Sequence, residues 1–271
     1  MRDFKHKVVI ITGGSSGIGK AIAVAFARSG ASVVISGREK EKLDAAGQDL
    51  LNIHSDILCV QSDVSAENDC VRLINETLNR FGRIDILVNN AGMSMRALFK
   101  DADLSVLKKL MDINFWGTVY CTKYALPSLL KSKGVVVGIS SVAGFKGLPA
   151  RTGYSASKFA MHGFLESLRI ENLKNGLHVL ICCPGFTASN IRNTALNKNG
   201  DAQGESPRDE EKMMQPEEVA VQLLKAIQKN KRTLILTSQG KLTAFVNKFF
   251  PAWLDKKVFD HMASEPDSPL K

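Results

Sequence analysis

The sequence lacks any apolar run approaching the roughly 20 residues that a bilayer-spanning helix requires. Residues 1–7 lead straight into the apolar stretch 8–11 with no signal-peptide core before it, so the expected address is cytoplasmic. Cysteine is scarce: Cys59, Cys70, Cys121, Cys182 and Cys183 are odd in number and none is spaced Cys-x-x-Cys. That argues against a disulfide framework and a metal site and leaves buried thiols in a reducing compartment. Aromatics make up only 7% of residues and no nucleic-acid module is present, which places nucleic acid last among partners. Acidic residues are the minority, 27 against 36 basic ones, for a formal net charge of +9. Such an excess favours a phosphorylated cofactor or an anionic surface. With 44% hydrophobic and 23% charged residues in 271, the chain can bury a sizeable core.

What is present is alternation. Short β-branched runs predict strands over 7–12, 32–36, 56–61, 84–89, 134–140, 177–182 and 233–236. Helical patterns fall between them, over 17–29, 39–53, 67–81, 104–131, 152–174 and 216–229. Strand–helix alternation predicts an α/β fold, a doubly wound parallel sheet of about seven strands with helices on both faces. The strands are nearly all apolar, as strands covered on two sides should be. No repeat and no interdomain linker is visible, so residues 1–240 read as one nucleotide-binding domain and 241–271 as a helical extension. The polar connection 186–215 is too long for a simple turn and reads as a substrate lid. Residues 264–271, with Pro266 and Pro269, are expected to fray.

The first strand ends in Thr12-Gly13-Gly14-Ser15-Ser16-Gly17-Ile18-Gly19, and a helix follows. Glycines there let backbone approach a pyrophosphate, whose charge rests on the helix N-terminus. A glycine cluster can also be a tight turn; its place between an apolar strand and an amphipathic helix favours the phosphate reading. Strand two ends in Ser36-Gly37-Arg38, without the acid that would bind a ribose 2′-hydroxyl. Arg38 can pair with a 2′-phosphate instead, which favours NADP(H) over NAD(H); the plainer alternative is a surface residue at a helix start. Asp63, followed by Val64, ends strand three where an adenine ring would lie, or else caps the next helix.

Tyr154 and Lys158 stand one helical turn apart, in Tyr-Ser-Ala-Ser-Lys. A phenol is a weak acid, with an ordinary pKa of about 10. The lysine charge favours the phenolate, so the tyrosine is expected to exchange a proton near neutrality. Alone, the pair also describes a solvated helix face. A serine pair, Ser140-Ser141, precedes it and the glycine loop opens the chain.

In order, Thr12 to Gly19, Asp63, Asn89-Asn90-Ala91-Gly92, Asn114, Ser140-Ser141, Tyr154 to Lys158 and Pro184-Gly185 resemble the short-chain dehydrogenase/reductase family over about residues 5–236. The resemblance implies a Rossmann-type fold and hydride transfer between a nicotinamide and a carbonyl or alcohol carbon. In that family Tyr154 would be the general acid/base, Ser141 would hold the carbonyl oxygen, and Asn114 would anchor a water that relays protons to Lys158. A shifted register would exchange Ser140 and Ser141, and Asn114 can also be read as a helix-kink residue bonded to backbone. Lys158 would bind the nicotinamide ribose, Asn90, Ala91 and Gly92 would brace the cofactor, Pro184 and Gly185 would turn beneath the nicotinamide, and Thr187 would touch its carboxamide. The family often forms homodimers or homotetramers through helices near 104–131 and 152–174. No metal is implied.

Leu242, Phe245, Val246, Phe249 and Trp253 share one helical face, flanked by Lys241, Lys248, Lys256 and Lys257, with Pro251 expected to break the helix. The face reads as a membrane-surface or lipid-substrate element, or as packing on the domain or across a dimer. Thr12 to Lys20 and Asn90 to Met93 also resemble reductases of 3-keto sphingoid bases, which would make the substrate an apolar or lipid 3-keto compound. Steroids, 3-oxoacyl compounds and small ketones or sugars stay open, as do a non-catalytic NADP-binding regulator and a membrane-recruited scaffold.

Overall fold

The computed structural model describes residues 3–188, 190–204, 213–265 and 268–271. Seven strands form one parallel sheet in the order β3-β2-β1-β4-β5-β6-β7. They are β1 Val8–Thr12, β2 Ser32–Gly37, β3 Ile57–Gln61, β4 Ile86–Asn89, β5 Val135–Ile139, β6 His178–Cys183 and β7 Thr233–Ile235. β-Branched residues fill them, and all five residues of β1 and of β5 are buried. The edge strands are the exceptions: in β3 Ile57, Leu58 and Cys59 are half-buried and Gln61 is exposed, and in β7 Thr233 is exposed. Cys59 is therefore part-exposed, whereas Cys70, Cys121, Cys182 and Cys183 are buried thiols; all five cysteines are free.

Helices α1 Gly17–Arg28, α2 Lys40–Leu51 and α7 Pro216–Gln228 cover one face, with Phe26, Leu43 and Val219 in a core shared with Val9, Ile35 and Leu180. Helices α3 Glu67–Phe81, α4 Leu104–Met111, α5 Gly117–Lys131 and α6 Thr152–Glu171 cover the other, where Leu73, Leu110, Cys121 and Leu165 pack with Ile10, Leu87 and Val136. The long helix expected over 104–131 is interrupted between α4 and α5 by a π-helical segment, Asp112–Trp116. Such an extra residue in a helix frequently marks a functional position, and Asn114 lies at its centre.

The tail continues directly from the sheet. Thr237 accepts a capping bond from the Gly240 amide at 3.1 Å and starts α8, Ser238–Phe249. Pro251 then breaks the helix as expected and opens α9, Pro251–Ala263. Asn247 donates to the Phe145 carbonyl at 2.9 Å and Lys146 pairs with Asp255, so the hairpin sits against the loop after β5. The apolar face of that hairpin is not packed on the domain: Leu242, Phe245, Phe249 and Trp253 are exposed, and Phe250 and Phe259 with them. Frayed ends were expected for 264–271; instead Glu265 and Ser268 are buried, and the Ser268 hydroxyl donates to the Met262 carbonyl at 2.8 Å. The Glu265 carboxylate lies 3.8 Å from Arg96 Nη2 and 3.7 Å from Arg151 Nη2, which anchors this segment; Pro266 lies outside the described residues. Among the described residues no helix is long and apolar enough to cross a membrane.

Candidate active site

The strand order reverses between β1 and β4, and a crevice opens there beyond the carboxyl ends of the strands, where doubly wound sheets bind ligands. It is a cleft of about 420 Å³. Gly13, Ser15, Ser16, Gly17, Ile18, Gly19, Arg38, Asp63, Val64, Asn90, Ala91, Gly92, Ser141, Tyr154, Lys158, Pro184, Gly185 and Thr187 all line it. Residues far apart in sequence thus share one surface.

The glycine turn is shaped for close approach. Gly13 has φ +64°, and a Cβ on Gly19 would lie 2.2 Å from the Gly13 carbonyl oxygen, so only glycine closes this turn. The free amides of α1 follow, with no acidic side chain in its first turn, which suits an anionic phosphate. Asn90 braces the turn: its side-chain amide donates to the carbonyls of Thr12 and Gly13 at 2.9 and 3.0 Å. Thr12 Oγ1 in turn accepts from the amides of Asn90 and Ala91, both at 3.0 Å. At the adenine end, Asp63 Oδ1 accepts from the amide and hydroxyl of Ser65 at 2.9 and 2.7 Å, so this residue does organise the turn before α3. Arg38 is exposed at the rim, and neighbouring Glu39 is engaged by Lys42 at 2.7 Å. These donors and the glycine cradle fit a dinucleotide.

Deeper in the cleft, β5 ends at Ser140 and Ser141. Ser140 is turned inward, its hydroxyl 2.7 Å from His162 Nε2. Ser141 lines the cleft beside it and accepts from the Ala143 amide at 3.1 Å. Tyr154 and Lys158 are both buried on α6. Lys158 Nζ donates to the Ile139 carbonyl at 2.9 Å and lies 5.8 Å from the Tyr154 ring centroid. Asn114 is fully buried behind the cleft wall rather than in it. Its side chain accepts from the Met93 amide at 2.9 Å and donates to the Met93 carbonyl and Ser157 hydroxyl at 3.0 and 2.9 Å. It therefore positions both the Met93 loop and α6. Thr187 is buried and donates to the Gly185 carbonyl at 3.3 Å.

The electrostatics correct one expectation. Burial raises the Tyr154 phenol, and a hydrogen bond with Ser141 only partly opposes this. The Lys158 ammonium is turned to the Ile139 carbonyl and lies over the ring face. Burial lowers Lys158 itself to about 8, so it is the lysine that is brought toward neutrality. His162 behind Ser140 is held neutral: burial, then the Lys158 and Arg169 charges, lower it to about 4.

A sequence profile described as short chain dehydrogenase matches residues 7–200. The chain belongs to the short-chain dehydrogenase family. Among its relatives, 11-beta-hydroxysteroid dehydrogenase A of Arachis hypogaea is 42% identical over 207 residues, covering 76% of this chain and 58% of that protein. The Arabidopsis thaliana protein 11-beta-hydroxysteroid dehydrogenase-like 4A is 42% identical, covering 70% and 64%. This chain thus matches less than two thirds of either plant protein. Dehydrogenase/reductase SDR family protein 7-like of Anopheles gambiae is 36% identical over 97% of this chain and 86% of its own length. In fold, the chain is similar to a Burkholderia phymatum short-chain dehydrogenase/reductase in complex with NAD, with TM-score 0.83 at 22% identity over 94% and 97% of the two chains. It is likewise similar to a Thermococcus sibiricus alcohol dehydrogenase complexed with 5-hydroxy-NADP, at TM-score 0.75 and 24% identity over 86% and 96%.

Several cleft residues had no signal in the sequence. Met95, Leu148 and Ile191 add apolar surface to the cleft lining, as does Met93 from the Asn90 to Met93 motif, and Arg96, Arg151 and Arg192 line it too. They lie in loops, where no periodicity points inward. The described part of the 186–215 connection contributes Phe186, Ile191 and Ala195 to the lining, and the Leu196 amide donates to the Ser94 carbonyl at 2.9 Å.

Proposed function

We propose that this short-chain dehydrogenase reduces a ketone to a secondary alcohol, or runs the reverse, with NADP(H) preferred over NAD(H). The observation that carries the reading is the meeting of Ser141, Tyr154 and Lys158 in the cleft whose other end is the glycine cradle. Bound there, a nicotinamide would supply or accept the hydride. Ser141 orients the carbonyl oxygen and Tyr154, protonated because burial raises it, donates the phenolic proton. Lys158 holds the ribose side and passes a proton on, and Asn114 keeps α6 and the Met93 loop in register for it. Arg38 at the rim, with Glu39 engaged by Lys42, supports a 2′-phosphate. A charge-assisted bond of that kind is worth about 1.5–3 kcal/mol, so NADPH should outperform NADH by about tenfold or more in kcat/KM. Equal use of the two cofactors would contradict the preference. Against a non-catalytic regulator stands the complete set of side chains.

The apolar lining supports an apolar or lipid-like 3-keto substrate. The exposed hairpin of α8 and α9, with lysines beside Leu242, Phe245, Phe249 and Trp253, supports a weak peripheral contact with an anionic lipid surface. The protein should then sediment with anionic vesicles, and Phe245→Glu should not; equal sedimentation of both would leave the hairpin to another role. Trp116, Phe159, Ile170 and Leu173, exposed on or beside α5 and α6, support a homodimer or homotetramer built through those helices. A cytoplasmic address remains the proposal for its location.

A further inference from the structure

Helix α6 presents a third side chain in the stripe that carries the chemistry. Tyr154, Lys158 and His162 follow one another at four-residue spacing, which places them on one helix face. Proton transfer uses the first two and leaves His162 unused. His162 is buried, and a buried imidazole needs polar partners. Its Nε2 lies 2.7 Å from the Ser140 hydroxyl and 3.8 Å from the Cys183 sulfur. Ser140 immediately precedes Ser141, and Cys183 immediately precedes the Pro184-Gly185 turn. One ring thus meets the chain where it leaves β5 and where β6 ends.

The same ring supports the loop that carries Ser141. Ser141 caps one turn of 3₁₀ helix, Val142–Gly144. A Cβ on Gly144 would lie 2.5 Å from His162 Nε2, so the backbone rests directly on the imidazole edge and only glycine leaves the room. Phe145 closes against the ring edge-on, with centroids 4.7 Å apart and planes at 74°, an arrangement that aromatic pairs favour. The turn is tied together by the Gly144 amide, which donates to the Ser141 carbonyl at 3.0 Å, and by the Phe145 amide, which donates to the Val142 carbonyl at 2.9 Å. It therefore shifts as a unit with Ser141 at its head. No charge enters the cluster near neutrality, because burial lowers His162 to about 4 and pushes the Cys183 thiol up to about 12. The contact between His162 and Ser140 is a bond between neutral groups.

We infer that His162 is a positioning residue: through its bond to Ser140 and its seat beneath Gly144 and Phe145, it sets where Ser141 stands relative to Tyr154. Ser140, Ser141 and Tyr154 line the cleft and His162 lies behind them, so it acts through Ser141. That Ser141 then holds a carbonyl oxygen rests on the ketone-reductase reading; the placing of Ser141 does not.

Three substitutions in the full chain separate the bond from the shape. His162→Phe keeps a ring against Phe145 and loses the polar nitrogen. His162→Gln keeps a polar group and loses the ring. Ser140→Ala removes the bond from its other side. With NADPH and a ketone that the parent reduces, His162→Phe and Ser140→Ala should each lower kcat about tenfold to a hundredfold, the scale of a small misplacement of a reacting group, with KM for NADPH within a few-fold of the parent. The double variant should lose little more than either alone, and His162→Gln should recover part of the loss. In a Ser141→Ala background His162→Phe should lower kcat no further, because the group it positions is gone. A second readout needs no turnover. Ser141 shares a hydrogen bond with the Tyr154 phenol, so the carbon-13 resonance of the hydroxyl-bearing ring carbon, assigned by its loss in Tyr154→Phe, should move in His162→Phe and Ser140→Ala in the direction it moves in Ser141→Ala. Should His162→Phe fail to fold, Ser140→Ala decides the matter. Unchanged kcat, an equal loss with and without Ser141, or a Tyr154 resonance that stays in place overturns the inference. A parent that reduces no ketone while the resonance moves as described would sink the reductase reading and leave the positioning role standing.

Discussion

Tyr154→Phe should lower ketone turnover by about 10²–10⁴-fold while cofactor affinity stays within a few-fold of the parent. The phenol is the one ionisable hydroxyl in the deep cleft beside Ser141, and burial keeps it protonated. Phenylalanine preserves the ring and its packing, so a loss confined to kcat identifies the lost proton rather than a lost shape. Fluorescence titration with NADPH and initial rates with a ketone read the two quantities separately. A variant that keeps most of its turnover would remove Tyr154 from the chemistry. Loss of cofactor binding together with rate would instead show a collapsed site.

Lys158→Met should abolish turnover to a similar degree yet stabilise the fold near neutrality. Lys158 is buried and lowered to about 8 from an ordinary 10.5. Between those values the unfolded chain binds more protons than the folded one, so this group makes stability rise with pH across the window. Below pH 8 the lysine is charged in both states and the full penalty applies. At about 1.4 kcal/mol per pH unit the penalty is about 3 kcal/mol. Methionine removes it but leaves the Ile139 carbonyl without its 2.9 Å donor, a loss of about 1–3 kcal/mol. The expected net gain is about 1 kcal/mol at pH 7, and the variant should become the less stable protein as pH approaches 10.5. Urea unfolding at pH 7 and pH 10 checks this. A stability difference that does not change between the two pH values would mean that Lys158 titrates normally.

The legible parts of this protein are those where chemistry forces a residue type. Gly13 and Gly19 are readable because no side chain fits the turn, and β1, β2, β4 and β5 because doubly covered parallel strands must be apolar throughout. Tyr154 and Lys158 are readable as a pair from their spacing on one helix, and Ser141 only from the family resemblance. Depth was not readable: the sequence puts Lys158 near Tyr154 but does not show the burial that raises the phenol, nor that the ammonium bonds the Ile139 carbonyl. Nor could spacing show that Asn114 sits in a π-helical segment behind the wall, because that segment continues the helical pattern on either side. The stripe through Leu242, Phe245 and Trp253 was evident, but a stripe does not say what covers it, and the domain does not. Arg96, Arg151 and Glu265 come from loops far apart in the chain, and only the closed tertiary structure brings them together.

The most direct test of the central reading follows the hydride itself. NADPH carrying deuterium at its hydride-donating carbon is incubated with the protein and a series of ketones, and the alcohols are analysed by mass spectrometry and NMR. Hydride transfer in this cleft requires one deuterium at the carbinol carbon of the product, formed in proportion to the NADPH oxidised and absent with Tyr154→Phe. Oxidation of NADPH without a labelled alcohol, or label transfer undiminished in Tyr154→Phe, would contradict it.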